Sequence, residues 1–240
     1  MSDDRTADAR VHAWRIDPRQ YARQEQRRGR RHAFERIDPA RTALVVVDMI
    51  PFFVDANPFC RGIVPNIALI ARCLRSAGGV VAWVLPAVAT EVSEVRKEFF
   101  GRDIAAMFNA SAGSGPLPDR LWHEFDIHPD DLVLEKSAAS AFFPGRSPLP
   151  SLLEQRRIDT VLITGTVTNV CCESSARDAS TLGYRVIMVA DANACVSDET
   201  HNATLHVIYR TFGDVRPTAD VVELIGAGIR SARGAAEPSR

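Results

Sequence analysis

Residues 43–47 (Ala, Leu, Val, Val, Val) form an unbroken apolar run of strand length. A strand with one wet face alternates apolar and polar residues; this run cannot, so it predicts a central parallel strand buried on both faces. Other largely apolar runs recur at 80–85, 132–135, 161–163 and 185–190. Between the first two, Ile67, Ile70, Ala71 and Leu74 repeat at helical spacing, and Gly78 and Gly79 follow as a C-terminal stop. Further helices are expected over 91–109, from Ser147 to Arg156, from Asn169 to Gly183, from Asp198 (as cap) to about Tyr209, and from Thr218. Strands that alternate with helices predict a three-layer α/β/α fold around a mostly parallel, Rossmann-like sheet of about six strands. No internal repeat is present.

The most informative stretch lies at 160–179. Val161 to Ile163 read as a buried strand, Gly165 permits a sharp turn, and Val170, Ser174 and Arg177 fall at helical spacing. Thr168 is a good N-cap residue. Cys171 and Cys172 then belong to the first helical turn, where the free N–H groups and the helix dipole favour a thiolate. Adjacent helix residues point about 100° apart, so only one of the two can face a crevice.

Asp48 and Lys136 also stand at the carboxyl ends of predicted strands. In an open parallel sheet those ends border one crevice, where side chains distant in sequence can meet. Taken singly, Asp48 reads at least as well as a helix-capping or turn residue, and Lys136 reads more readily as a solvated strand terminus than as a catalyst. Together with a thiol they form a complementary set: a nucleophile, a carboxylate base, and an ammonium that holds the carboxylate.

Three segments in order resemble the isochorismatase-like cysteine hydrolases. They are Ala43 to Met49 containing Asp48; Leu132 to Lys136 followed by Ser140, Ala141, Phe142 and Phe143; and Gly165, Thr168, Asn169, Val170 and Cys171 followed by Glu173, Ser174, Arg177, Asp178 and Ala179. The resemblance covers about 42–225 and implies Asp48 as base, Lys136 as its electrostatic partner and Cys171, first after Thr-Asn-Val, as nucleophile. It also implies a non-proline cis peptide between Val167 and Thr168, with the N–H groups of Thr168 and Cys171 forming an oxyanion hole. Loops at 51–61, 86–118 and 137–147 would set specificity, with Phe53, Phe142, Phe143 and Asn169 as candidate substrate contacts.

The nicotinamidase branch carries a metal-binding Asp-x-His motif after its second strand. Val84 to Val88 hold no histidine here, and His201 and His206 are five apart rather than the usual four. The resemblance therefore implies a metal-free and cofactor-free enzyme. Cys171 favours C–N cleavage (amide, ureide or lactam) over vinyl-ether hydrolysis; the alternatives are that ether hydrolysis, or a non-catalytic binding module. Relatives close to ureidoacrylate amidohydrolase have Arg-Tyr two and three residues after the lysine, where this chain has Ala138 and Ala139. A bulkier or less anionic amide is expected in consequence.

Composition sets the remaining limits. The chain has 240 residues, a net charge of −1 and a charged fraction of 25%, which argues for neither nucleic acid nor an anionic membrane as partner. No apolar run approaches the roughly 20 residues needed to cross a bilayer. Five cysteines, odd in number and set in core-like segments, point to a reducing, cytoplasmic setting. Residues 1–40, with Arg23, Arg27, Arg28, Arg30 and Arg31, are expected as a separate arm, solvated or lying across a neighbour in a homodimer or homotetramer. Residues 41–230 are expected as the hydrolase domain and 231–240 as a flexible tail.

Overall fold

The computed structural model describes residues 9–236. Six strands, β1 (Thr42–Val47), β2 (Val80–Pro86), β3 (Leu132–Lys136), β4 (Thr160–Thr166), β5 (Arg185–Ala194) and β6 (Asp214–Arg216), form one sheet in the order β3-β2-β1-β4-β5-β6. Every pairing is parallel. β1 is central and all six of its residues are buried, as its lack of alternation requires.

Successive side chains of β1 point to opposite faces. Leu44 and Val46 join Ile67, Ile70, Leu74 and Ile225 on one side. Ala43, Val45 and Val47 join Leu149, Leu153, Ala176, Leu205 and Ile208 on the other. The helices Val64–Ser76 and Thr218–Ala236 therefore cover the first face, and Leu149–Gln155, Glu173–Thr181 and Asp198–Thr211 the second. Each fully buried Val, Leu or Ile contributes roughly 1.5–3 kcal/mol relative to exposure.

Several local expectations are corrected. Residues 51–61 are not loop but two short helices, Pro51–Ala56 and Pro58–Gly62, each begun by a proline at its first position. The helix expected over 91–109 breaks at Gly101 into Glu94–Phe100 and Arg102–Ala110. Ser197, not Asp198, caps the helix Asp198–Thr211, accepting from Thr200 N. The last helix extends to Ala236, into the stretch expected as tail; residues 237–240 lie outside the described residues, as do 1–8 of the arm.

The described arm lies along this chain. His12 is buried between the rings of Phe59 and His201, stacked at 3.9 and 4.2 Å. Ile16 enters the second core face. The helix Pro18–Arg28 is capped by Asp17 and sends Gln24 Nε2 to Arg210 O. Buried Asp214 accepts from Ala33 N and Phe34 N at 2.7 and 2.9 Å.

Candidate active site

The strand order reverses between β1 and β4, the point where open α/β sheets leave a crevice beyond the carboxyl ends. Asp48 follows β1 directly, and the segment after β4 carries Cys171. Lys136 closes β3, two strands from β1. Two strand spacings are about 9.6 Å, a gap that suits the four-carbon stem of lysine. The three side chains meet: Lys136 Nζ lies 2.9 Å from Asp48 Oδ2 and 3.6 Å from Cys171 Sγ. Lys136 Nζ also donates to Ala138 O at 3.1 Å.

The backbone at each position is specialised. Asp48 has φ 53°, a left-handed conformation that short polar side chains tolerate better than most. Its N–H donates to Val84 O and its C=O accepts from Ile50 N, both at 2.9 Å. Gly165 has φ 113°, and a Cβ there would run into the Val47 carbonyl. β4 can therefore press against the end of β1 only with glycine at this point.

The cis peptide lies between Thr166 and Val167, one residue before the expected Val167–Thr168 bond. Thr166 still pairs with Ala194 as a strand residue, and the chain leaves the sheet at the very next bond. The segment beyond it does not open with an α-helical turn. Thr168–Cys172 forms a wide π turn in which Val167 O accepts from both Val170 N and Cys172 N, and the α-helix Glu173–Thr181 begins only afterwards. Val167, not Thr168, stands at the N-cap position of this turn, and the Thr168 hydroxyl goes to His201 instead, which corrects the expected role of Thr168 as N-cap. Such wide turns often sit at functional sites.

The two cysteines are separated as expected. Cys171 is partly exposed, whereas Cys172 is fully buried among core residues. The electrostatics differ from the dipole argument. Burial, then the neighbouring Asp48 charge, pushes the Cys171 thiol up to about 12, against the pull of Lys136. This direction favours the protonated thiol at rest. Burial lifts Asp48 above the usual carboxylate range, although Lys136 and the Cys171 thiol oppose it. For Lys136 burial works against the ammonium, but Asp48 and Cys171 outweigh it and raise its pKa. Asp48 Oδ1 is buried without a full hydrogen bond, so the carboxylate keeps an open acceptor.

The candidate substrate contacts divide. Phe143 is 49% exposed and lines a cavity beside Ala138, and Asn169 is exposed. Phe53 is half-buried and packs edge-on against Phe52. Phe142 is wholly buried in the second core face, edge-on to Tyr184. Its expected role as a substrate contact is corrected: of these two neighbours one faces solvent and the other, Phe142, faces the core.

A supporting chain of contacts reaches the site from the far end of the sequence. His201 Nε2 lies 3.0 Å from Ala190 O, which fixes the proton there, so Nδ1 accepts from the Thr168 hydroxyl at 3.0 Å. Burial, helped by His12, pulls the His201 imidazole down to about 3 and keeps it neutral. His12 Nε2 accepts from Cys195 N, so Nδ1 donates to Asp198 Oδ1 at 2.6 Å. His12, Cys195 and His201 are the one group of metal-ligand type among the described residues. Their ring nitrogens are already engaged, and the two rings are stacked with planes 12° apart. In-plane lone pairs of stacked rings do not converge on a shared ion at the ~2.0–2.1 Å a metal needs. No local sequence signal links residue 12 to residues 195–201, so sequence reasoning missed this contact.

Comparison with known proteins adds to this geometry. Residues 42–220 match the isochorismatase domain. The uncharacterized isochorismatase family protein YwoC of Bacillus subtilis is 31% identical over 79% of this chain and 96% of its own. The ureidoacrylate amidohydrolase RutB of Methylobacterium radiotolerans is 30% identical over 83% of this chain and 85% of its own. The crystal structure of a cysteine hydrolase from Pseudomonas syringae pv. phaseolicola superposes with a TM-score of 0.72, at 27% identity, over 82% of this chain and 97% of that one.

Proposed function

The chain belongs to the isochorismatase family, and from that membership we propose that it is a metal-independent cysteine hydrolase that cleaves a C–N bond of a small amide, ureide or lactam. The observation that carries this reading is the meeting of Lys136 Nζ with Asp48 Oδ2 at 2.9 Å and Cys171 Sγ at 3.6 Å. Relatives named as an amidohydrolase and as a cysteine hydrolase support it.

Asp48, held ionised by Lys136, takes the Cys171 thiol proton as sulfur attacks the carbonyl carbon. A protonated resting thiol suits this order, because the base removes the proton only as the C–S bond forms. The tetrahedral oxyanion is received by free backbone N–H groups of this turn, that of Cys171 among them. Within the same turn Val170 N and Cys172 N are already committed to Val167 O. The C–N bond then breaks and the protonated Asp48 gives its proton to the leaving nitrogen. Water loses a proton to Asp48, attacks the thioester, and releases the acid and the thiol. Lys136 keeps Asp48 charged in each resting state and does not itself transfer the proton.

The test is incubation of the full chain with a panel of amides, ureides and lactams, following release of ammonia or amine. Turnover that Cys171→Ser abolishes supports the reading. Turnover that survives in Cys171→Ser overturns it.

A further inference from the structure

A cavity of about 480 Å³ opens between the helices Glu94–Phe100 and Arg102–Ala110 and the segment after β3. It shares a wall with the catalytic cluster: Ala138 lines it, and the Ala138 carbonyl accepts from Lys136 Nζ at 3.1 Å. Its volume lies in the range of small-molecule sites, roughly 300–1,000 Å³. That is room for more than a bare carboxamide.

The lining has an apolar part, Ala138, Phe143 and Val92, and a charged part, Arg96, Arg146 and Glu91. Among the described residues no ion pair or hydrogen bond engages either guanidinium group, and none engages the Glu91 carboxylate. Hydrogen bonds hold the backbone near both arginines. The Arg146 carbonyl accepts from Ser137 N at 2.8 Å, which ties it to the residue after Lys136. Asn109, which also lines the cavity, bonds both the N–H and the C=O of Ala89, at 3.1 and 2.9 Å, and so pins the loop that leads to Arg96. Arg96, Arg146 and Glu91 are exposed, so two guanidinium groups against one carboxylate leave an excess of positive charge at the rim of a partly apolar cavity.

We propose that this cavity is the distal subsite for the substrate, and that it takes an apolar body ending in a carboxylate, which Arg96 and Arg146 hold. Arginine matches a carboxylate through paired N–H donors. Ala138 and Ala139 bring no charged side chain to the lysine; the anion is read farther out, at the far end of a longer substrate. Glu91 disfavours a second negative charge. This proposal rests on the hydrolase reading above, and its test is arranged so that the two can fail separately.

The test pairs each primary amide that carries a terminal carboxylate (succinamate, glutaramate, adipamate) with its neutral counterpart of equal chain length. The expected result is a kcat/KM preference of about tenfold or more for a carboxylated member. Arg96→Gln and Arg146→Gln should each pull that preference toward one, mainly through KM, and Glu91→Gln should increase it. Equal rates within every pair, or a preference untouched by both arginine variants, overturn the subsite. If no amide is turned over, the same question is read without chemistry, by protection of Cys171 from iodoacetamide. Butyrate, valerate and hexanoate should protect, the corresponding alcohols should not, and Arg96→Gln with Arg146→Gln should abolish protection. Protection without turnover keeps the subsite and removes linear carboxylated amides from the substrates of the hydrolase reading. Absence of protection sinks the subsite whatever the turnover.

Discussion

Lys136 and Asp48 are each about 3% exposed and lie 2.9 Å apart, yet they come from strands separated by a third. The ammonium engages one carboxylate oxygen and leaves the other, Oδ1, without a full hydrogen bond. A pair buried this deeply has little net stabilising value, but loss of one member strands the other charge.

Lys136→Ala is therefore expected to cost about 3–5 kcal/mol of folding stability, read by urea unfolding, and to abolish turnover. Lys136→Met, which fills the volume without restoring charge, should regain part of the stability and none of the activity. Activity in Lys136→Met would remove the lysine from the mechanism.

Asp48→Asn should separate two quantities that usually move together. Turnover should fall by about 10²-fold or more with the base gone. Alkylation of Cys171 by iodoacetamide should become faster, because the Asp48 charge is one of the causes that raises the thiol. If both slow, the carboxylate promotes the thiolate at rest and the protonated-thiol description is wrong.

The pH profile is set by the same shifts. In the proposed mechanism Asp48 acts ionised, and its pKa is raised above the ordinary ~4. The acid limb of kcat/KM should thus lie above that ordinary value. Cys171 at about 12 and a raised Lys136 supply no basic limb below about pH 10. For stability the sign is opposite. The folded state binds this proton more tightly than the unfolded chain, so the contribution is present at low pH and fades as pH rises through the folded pKa. Asp48→Asn should erase that slope; a slope that persists would assign it elsewhere.

Mass spectrometry after limited alkylation should find the activity-linked label on partly exposed Cys171. Cys172 is wholly enclosed, with its sulfur 3.9 Å from Thr164 O. Cys172→Ser should therefore keep turnover and alter stability only modestly, by about 1–2 kcal/mol. A loss of turnover without unfolding would reassign the nucleophile.

Gly165→Ala should be among the most damaging single-methyl changes in the chain. It adds Cβ against the Val47 carbonyl at a φ of 113°. A drop of several kcal/mol in urea unfolding is expected. A change below about 1 kcal/mol would mean that β4 can shift away from β1.

The parts of the molecule legible in the sequence were those that depend on neighbours along the chain. The five apolar residues of β1 could be buried only on both faces, and the strand ends marked Asp48, Lys136 and Cys171 as able to meet. Their roles came from likeness in three segments, since alone Asp48 had an ordinary reading at least as good and Lys136 a better one. The state of the thiol was not legible. A dipole argument presumes an α-helical first turn in contact with water, whereas Cys171 sits in a π turn beside a buried carboxylate. Pro51 and Pro58 suggest a loop by composition, although proline also starts helices. Phe142 and Phe143 look alike in the sequence, and only packing sends one of them to the core. His12 has no local signal at all.

His12 also shows that the stretch shared with relatives and the stretch able to fold need not share a boundary. The family match starts at residue 42, but the ring that covers His201, the imidazole that meets Asp198 and the amides that meet Asp214 all come from before it. A polypeptide begun at residue 42 would hold every residue assigned to chemistry. It would nonetheless leave the far side of the Thr168–His201 contact open to water. Proteolytic nicking within 9–36, or a fusion partner joined there, should thus behave as an active-site lesion delivered from outside the active site.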